Sequence, residues 1–208
     1  MGGRRQERIF PVTSSAARRM LIRTVVDRLP LRIRWELEVL EKLNVAPADL
    51  FERLTTSLAV LVAQAFAVEE DEVAILLLQD RSLMLRFAHP VTLYCDRANI
   101  FPVNGSSIAG EVLRHLRGRI DNDLPQIRHL DFYERLCVQA ARPWEIQKMV
   151  STPLLIPWGH VLGVLQVSRK GNSVEEAGPN FSPVDLVKLT DLSRWLAPYL
   201  RKAIPSDF

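Results

Sequence analysis

The sequence of 208 residues predicts an α+β fold, an antiparallel β-sheet with helices packed on it, preceded by a helical N-terminal extension. Three observations carry that prediction. The stretch 151-STPLLIPWGHVLGVLQVSRKG-171 holds two apolar runs separated by Pro157-Trp158-Gly159-His160, the pattern of a β-hairpin. A few residues on, Phe181-Ser182-Pro183-Val184-Asp185 opens an amphipathic helix with a cap, a first-turn proline and a capping-box carboxylate. The order along the chain reads helix, two strands, short helix, strand, helical loop, two strands, helix, which suits an antiparallel sheet with helices on a face.

Residues 1–12 read as a flexible tail. Thr13 or Ser14 caps a first helix whose Ile22, Val25, Val26 and Leu29 lie at helical spacing, and Pro30 ends or kinks it. A second helical piece spans Arg34–Leu43, with Leu37, Leu40 and Leu43 on one stripe. Asn44-Val45-Ala46-Pro47 marks a boundary, so that 1–46 is a basic helical extension, 47–203 a domain and 204–208 a tail. Pro47 suits the first turn of a helix over 47–68, where apolar residues from Leu50 to Phe66 recur three or four apart. Residues 73–79 and 83–88 read as strands around an Asp80-Arg81-Ser82 turn. After the Asn104-Gly105 turn, Ser106 or Ser107 caps a short helix with Ile108, Val112 and Leu116 on its apolar face, and Gly118 stands where a left-handed residue is wanted. Arg119-Ile120 is extended, 121–147 is irregular with a helix expected at 132–140, and strands follow at 149–156 and 161–169. Gly163 implies a close backbone approach or a bulge.

At 48% hydrophobic and 25% charged, the chain can bury a core. It has neither the apolar run of a membrane span nor a secretory signal, so a cytoplasmic location is expected. Cys95 and Cys137 are too few for a disulfide framework, and the histidines make no metal-binding spacing. The net charge of +3 hides an asymmetry: residues 1–34 hold nine arginines against Glu7 and Asp27, a net of +7, leaving 18 basic and 22 acidic residues for the rest. The basic arm either packs its Ile/Val face on protein, with Asp27 pairing Arg23, or meets anionic membrane or nucleic acid; the packed reading is the favoured one.

Phe101–Gly110, with Ile108-Ala109-Gly110 entering the short helix, the Ser151–Val167 hairpin and the Phe181–Asp185 helix start together resemble the GAF domain over about residues 47–203. GAF domains are small-molecule sensor modules related to PAS domains. The resemblance implies a ligand cavity between the sheet and the segment before the last hairpin, here 121–149. That segment offers Phe132, Tyr133, Arg135, Trp144 and Gln147, aromatic walls with polar handles, as candidate ligand-binding residues. The alternative is that they close the core, with Arg135 paired to Asp131 or Glu145. Cys137 is followed by Val138 rather than the histidine of bilin-binding members. Asn172 and Phe181 stand without the rest of the phosphodiesterase pattern. Free methionine sulfoxide reductases of this fold use three loop cysteines, against two here.

No catalytic or metal residue is assigned. Cys95 and Cys137 read as buried thiols, His160 as an exposed turn residue, and Asp121 and Asp123 as caps or turn formers rather than ligand contacts. His89 and His129 would ligate haem only if they faced the cavity; the cofactor stays open. The sequence thus predicts a non-catalytic sensory or regulatory domain that binds a small ligand and signals through its terminal helices to a protein partner, as a homodimer. The alternatives are a scaffold or assembly protein with a filled pocket and a thiol-dependent reductase.

Overall fold

The computed structural model describes residues 35, 38, 39, 42, 48–79, 83–91, 100–104, 106–127, 145–156, 160–205 and 208. The expected Thr13 helix, the 132–140 helix and the tip of the last hairpin lie outside them. Among the described residues, and besides the helical positions 35, 38, 39 and 42, the helices α1 (Ala48–Phe66), α2 (Ile108–His115) and α3 (Pro183–Ala203) accompany the strands β1 (Val73–Leu78), β2 (Met84–His89), β3 (Ile100–Pro102), β4 (Arg119–Asp121), β5 (Glu145–Leu155) and β6 (Val161–Gly171). The strands form one sheet in the order β3-β2-β1-β6-β5-β4, every neighbouring pair antiparallel.

The β5–β6 hairpin is the spine, eleven residues on each side, and β1 docks on its inner edge. Gly163 sits opposite Leu77 and Leu154, and the register slips between Leu154 and Leu155. A Cβ at Gly163 would stand 1.9 Å from the Leu76 carbonyl oxygen, so the close approach expected there is real and coincides with the slip.

Strand alternation splits the core in two. Val73, Ile75, Leu77, Val150, Leu154, Leu165 and Val167 pack under α1 and α3. Leu76, Leu85, Phe87, Met149 and Val164 pack on the other face with Ile108, Val112 and Leu113 of α2. Val39, helical with Trp35, Glu38 and Lys42, packs against the first cluster, and the Arg53 guanidinium lies 5.4 Å from the Trp35 ring centre. Phe208 returns to the same cluster, its ring 5.5 Å from that of Phe51.

Helix ends follow local chemistry. Ala67, at φ 51°, turns α1 off, and the Val68 amide donates back to the Ala63 carbonyl. Two further carbonyls of that last turn accept from cations elsewhere in the chain, Ala65 from Lys188 Nζ and Phe66 from Arg169 (3.3 Å). Ser107, not Ser106, caps α2, its hydroxyl accepting from the Gly110 amide. The left-handed residue after α2 is Leu116 (φ 49°), not Gly118; this turns Leu116 away from the apolar face, and it is 48% exposed. Gly118 is small for another reason: a Cβ there would meet Leu186 at 2.6 Å and the Ser151 carbonyl at 2.9 Å. The expected capping box of α3 is complete, with Ser182 Oγ accepting from the Asp185 amide and Asp185 accepting from the Ser182 amide.

Candidate functional site: a buried polar row on the sheet

On the face that carries α2, three strands lay polar side chains beside one another. Arg119 of β4 stands opposite Ser151 of β5, Ser151 opposite Gln166 of β6, and Gln166 opposite Ala74 of β1. Two residues along, Asp121 faces Met149 and Met149 faces Ser168. A period of two puts both rows on one face, over the apolar floor of Met149, Val164 and Leu76.

The row is hydrogen-bonded. Gln166 Nε2 donates to Ser151 Oγ (3.0 Å) and contacts Met149 Sδ (3.1 Å). Ser168 Oγ donates to the Glu72 carbonyl (3.0 Å). Arg119 donates to both Glu111 of α2 and Asp121 Oδ1, tying the helix to the sheet. Burial is the largest single influence on Arg119 and favours its neutral form, but Asp121 and Glu111 together outweigh it and hold its pKa above the ordinary value. The Asp121 side chain is 5% exposed, and its Oδ2 is buried with no hydrogen-bond partner among the described residues.

Of the sequence-predicted pocket residues, Phe132, Tyr133, Arg135 and Trp144 lie outside the described residues, as do His129, Cys95 and Cys137. Gln147 sits at the register slip between Ile146 and Lys148, buried, with its side-chain amide donating to the Gly171 carbonyl (2.9 Å). Asp123 precedes a 3-10 turn without a side-chain cap bond, and His160 is exposed. Asp121 is a buried member of an ion-paired cluster instead of a turn former, because it ends β4 with its side chain on the inner row. His89 is buried with Nε2 3.4 Å from the Glu70 carbonyl, and burial pushes its pKa down to about 4 although that contact and Asp71 oppose the shift. No group of three or more His, Cys, Asp or Glu suited to a metal is found among the described residues.

Sequence reading missed Glu111, Arg119, Ser151 and Gln166. The available signal was polar residues at alternate positions of otherwise apolar strands, such as Gln166 and Ser168 within 161–169.

The row also has a line to the helices. Next to Ser151, Thr152 turns to the opposite face, where its Oγ1 lies 3.2 Å from Thr190 Oγ1 of α3, and Ser193 Oγ donates to the Pro153 carbonyl (3.2 Å). Beyond Asp121, Asn122 exchanges two hydrogen bonds with the backbone of Phe181 at the entry to α3 (2.9 and 3.0 Å).

No family model matches the chain, and no curated protein sequence does. Solved structures do. The GAF domain of an Acinetobacter phosphoenolpyruvate-protein phosphotransferase superposes with a TM-score of 0.58 at 16% identity, covering 88% of this chain and 94% of that one. A putative GAF sensor protein from Burkholderia vietnamiensis gives 0.50 at 14% identity, covering 89% and 98%. The free methionine-R-sulfoxide reductase from Neisseria meningitidis, solved with its substrate, gives 0.52 at 16% identity, covering 93% and 95%. With α1 and α3 on one face of the six-stranded antiparallel sheet and α2 on the other, the chain has the fold of a GAF domain.

Proposed function

We propose that the chain is a non-catalytic sensory or regulatory domain that binds a small ligand on the α2 face of the sheet and signals through its terminal helices to a protein partner. The observation that carries this reading is the polar row Arg119–Ser151–Gln166 with Asp121, buried on one face of strands whose other face is bonded to α3. A ligand there meets residues one position away from the contacts that seat α3. Signalling then requires the ligand to bind one setting of α3 more tightly than another. The reductases of this fold supply the competing reading; the chain's two cysteines, against the three loop cysteines that the family resemblance implies for such enzymes, argue for binding without catalysis. Action in the cytoplasm fits the sequence, and among the described residues no helix is long and apolar enough to cross a membrane.

Assembly belongs to the same proposal: a homodimer built on the N-terminal helices and α3. Trp35, 52% exposed beside α1, and the half-buried Trp195 and Tyr199 on α3 (ring centres 5.5 Å apart) are the apolar surface that supports it. Native mass spectrometry of the purified protein tests both parts. A dimer carrying a co-purifying small molecule is expected. A bare protein whose melting temperature no metabolite fraction moves would turn the reading to a scaffold.

A further inference from the structure

The corner between α2 and β4 holds residues that neither the core nor the polar row uses. Leu116 ends α2 at φ 49° and ψ 34°, the left-handed region, where helices commonly end on glycine because a Cβ is crowded there. The chain has a glycine two residues on, but Gly118 is taken by its close approach to Leu186 and Ser151. Leu116 gains no burial from this backbone: it is 48% exposed and belongs to neither core cluster. A lone exposed leucine needs no explanation; one held outward by an unfavourable backbone does. Its neighbours are basic. Arg114, His115, Leu116 and Arg117 are consecutive and all exposed. The carboxylates that flank them in the chain, Glu111 and Asp121, both pair with Arg119, so neither is left to neutralise the ridge. Arg114 and His115 lie in the last turn, where cations suit the negative end of a helix. That accounts for neither Leu116 nor Arg117, which lies beyond the cap.

We infer that this corner is a contact for an anionic phospholipid surface, with Leu116 reaching the hydrocarbon boundary and Arg114 and Arg117 at the level of the phosphates. The leucine chooses among the possible occupants of a basic ridge. A nucleic-acid backbone takes arginines but offers nothing to an aliphatic tip. A stable protein interface needs roughly 1,000 Å² with an apolar centre, more than one leucine provides. A lipid interface takes both, cations among the headgroups and an aliphatic side chain just beneath them. The corner belongs to α2, on the sheet face away from α1 and α3, so attachment here leaves those helices clear. The inference stands apart from the ligand-binding reading above.

The test is co-sedimentation of the full chain with vesicles of phosphatidylcholine holding about a third phosphatidylserine, against pure phosphatidylcholine, at low and high salt. Binding to the mixed vesicles alone, falling as salt rises, is expected. Arg117→Glu, at an exposed position, should weaken it about tenfold or more, since two units of charge change sides. Leu116→Gly separates the lipid contact from a packing role. It should raise the urea midpoint, because glycine is at ease in the left-handed region, and yet weaken vesicle binding severalfold. The basic segment 1–34, net +7, is the same in every variant. Binding equal to wild type in both variants would therefore assign it to that segment and overturn the inference, as would wild type that ignores the mixed vesicles. A lower urea midpoint in Leu116→Gly would make Leu116 a packing residue and overturn it too. Loss with Arg117→Glu but not with Leu116→Gly, with duplex DNA bound as tightly as the vesicles, would replace the lipid by a phosphate backbone.

Discussion

His89 is 2% exposed and holds its imidazole neutral, its pKa lowered to about 4 by burial. In the unfolded chain the same group titrates near its ordinary 6.5. Between those values the unfolded chain binds the extra proton, so folding stability is fully present above about pH 6.5 and falls as pH drops through that window to about 4. The shift corresponds to about 3 kcal/mol at most. Urea unfolding of wild type against His89→Gln, from neutral pH down to about pH 4.5, reads this directly: the wild type should lose stability faster than the variant, and parallel profiles would show that His89 contributes nothing to the slope. Ala67 makes a second prediction at this scale. It ends α1 in the left-handed region, at φ 51°. Ala67→Gly removes the Cβ clash of that conformation and should raise stability by about 0.5–1 kcal/mol, seen as a higher urea midpoint with unchanged slope.

Helix ends show which kinds of element can be read in advance. The α3 cap is a local device: Ser182, Pro183 and Asp185 are within four positions, and their chemistry alone calls for the box the structure contains. Ser182→Ala should cost about 1 kcal/mol, measured as a fall in the free energy of urea unfolding. The last turn of α1 was not legible in the same way. It carries no basic residue of its own, and its carbonyls are met by Arg169 of β6 and Lys188 of α3, more than a hundred residues along. Burial lowers the Lys188 pKa, with Asp185 pulling the other way. The candidate site is hidden for the same reason. Arg119, Ser151 and Gln166 meet only through strand pairing, and nothing in the spacing of 119, 151 and 166 announces it. Strands β1, β2, β5 and β6 were legible from their apolar runs and β3 was not, being three residues in a loosely patterned stretch, while β5 begins earlier than expected because Glu145, Gln147 and Lys148 are polar and a register slip falls among them. Asp121 was misread since an Asp-Asn-Asp triplet looks like a turn until pairing with Met149 fixes its face.

Across the whole molecule the polar row and the helices α1 and α3 are opposite sides of the same strands. Thr190→Val removes the hydroxyl shared with Thr152 and with the Leu186 carbonyl. If ligand binding is transmitted along this path, the variant should still co-purify with the small molecule found on wild type while the ligand-dependent amide shifts in α3 shrink; equal shifts throughout α3 would place the path elsewhere. Light scattering tests assembly. The full chain should be dimeric at micromolar concentration, and a chain starting at Ala46 should dissociate more readily; a monomeric full chain would refute the dimer.

Pro153 bears on how the molecule keeps to itself. Among the described residues β5 is paired on its outer side by β4 at Met149–Ser151, so the strand continues past its neighbour. The next residue able to recruit a stranger on that side is Pro153, which has no N–H to give, and its carbonyl already accepts from Ser193. Three-residue β3 and β4 leave equally little backbone on offer at the margins. Among the described residues, runaway strand addition, the growth step of fibrillar aggregates, therefore finds little template beyond Pro153, and crowding or overexpression should drive such chains toward helix-mediated association before cross-β deposits.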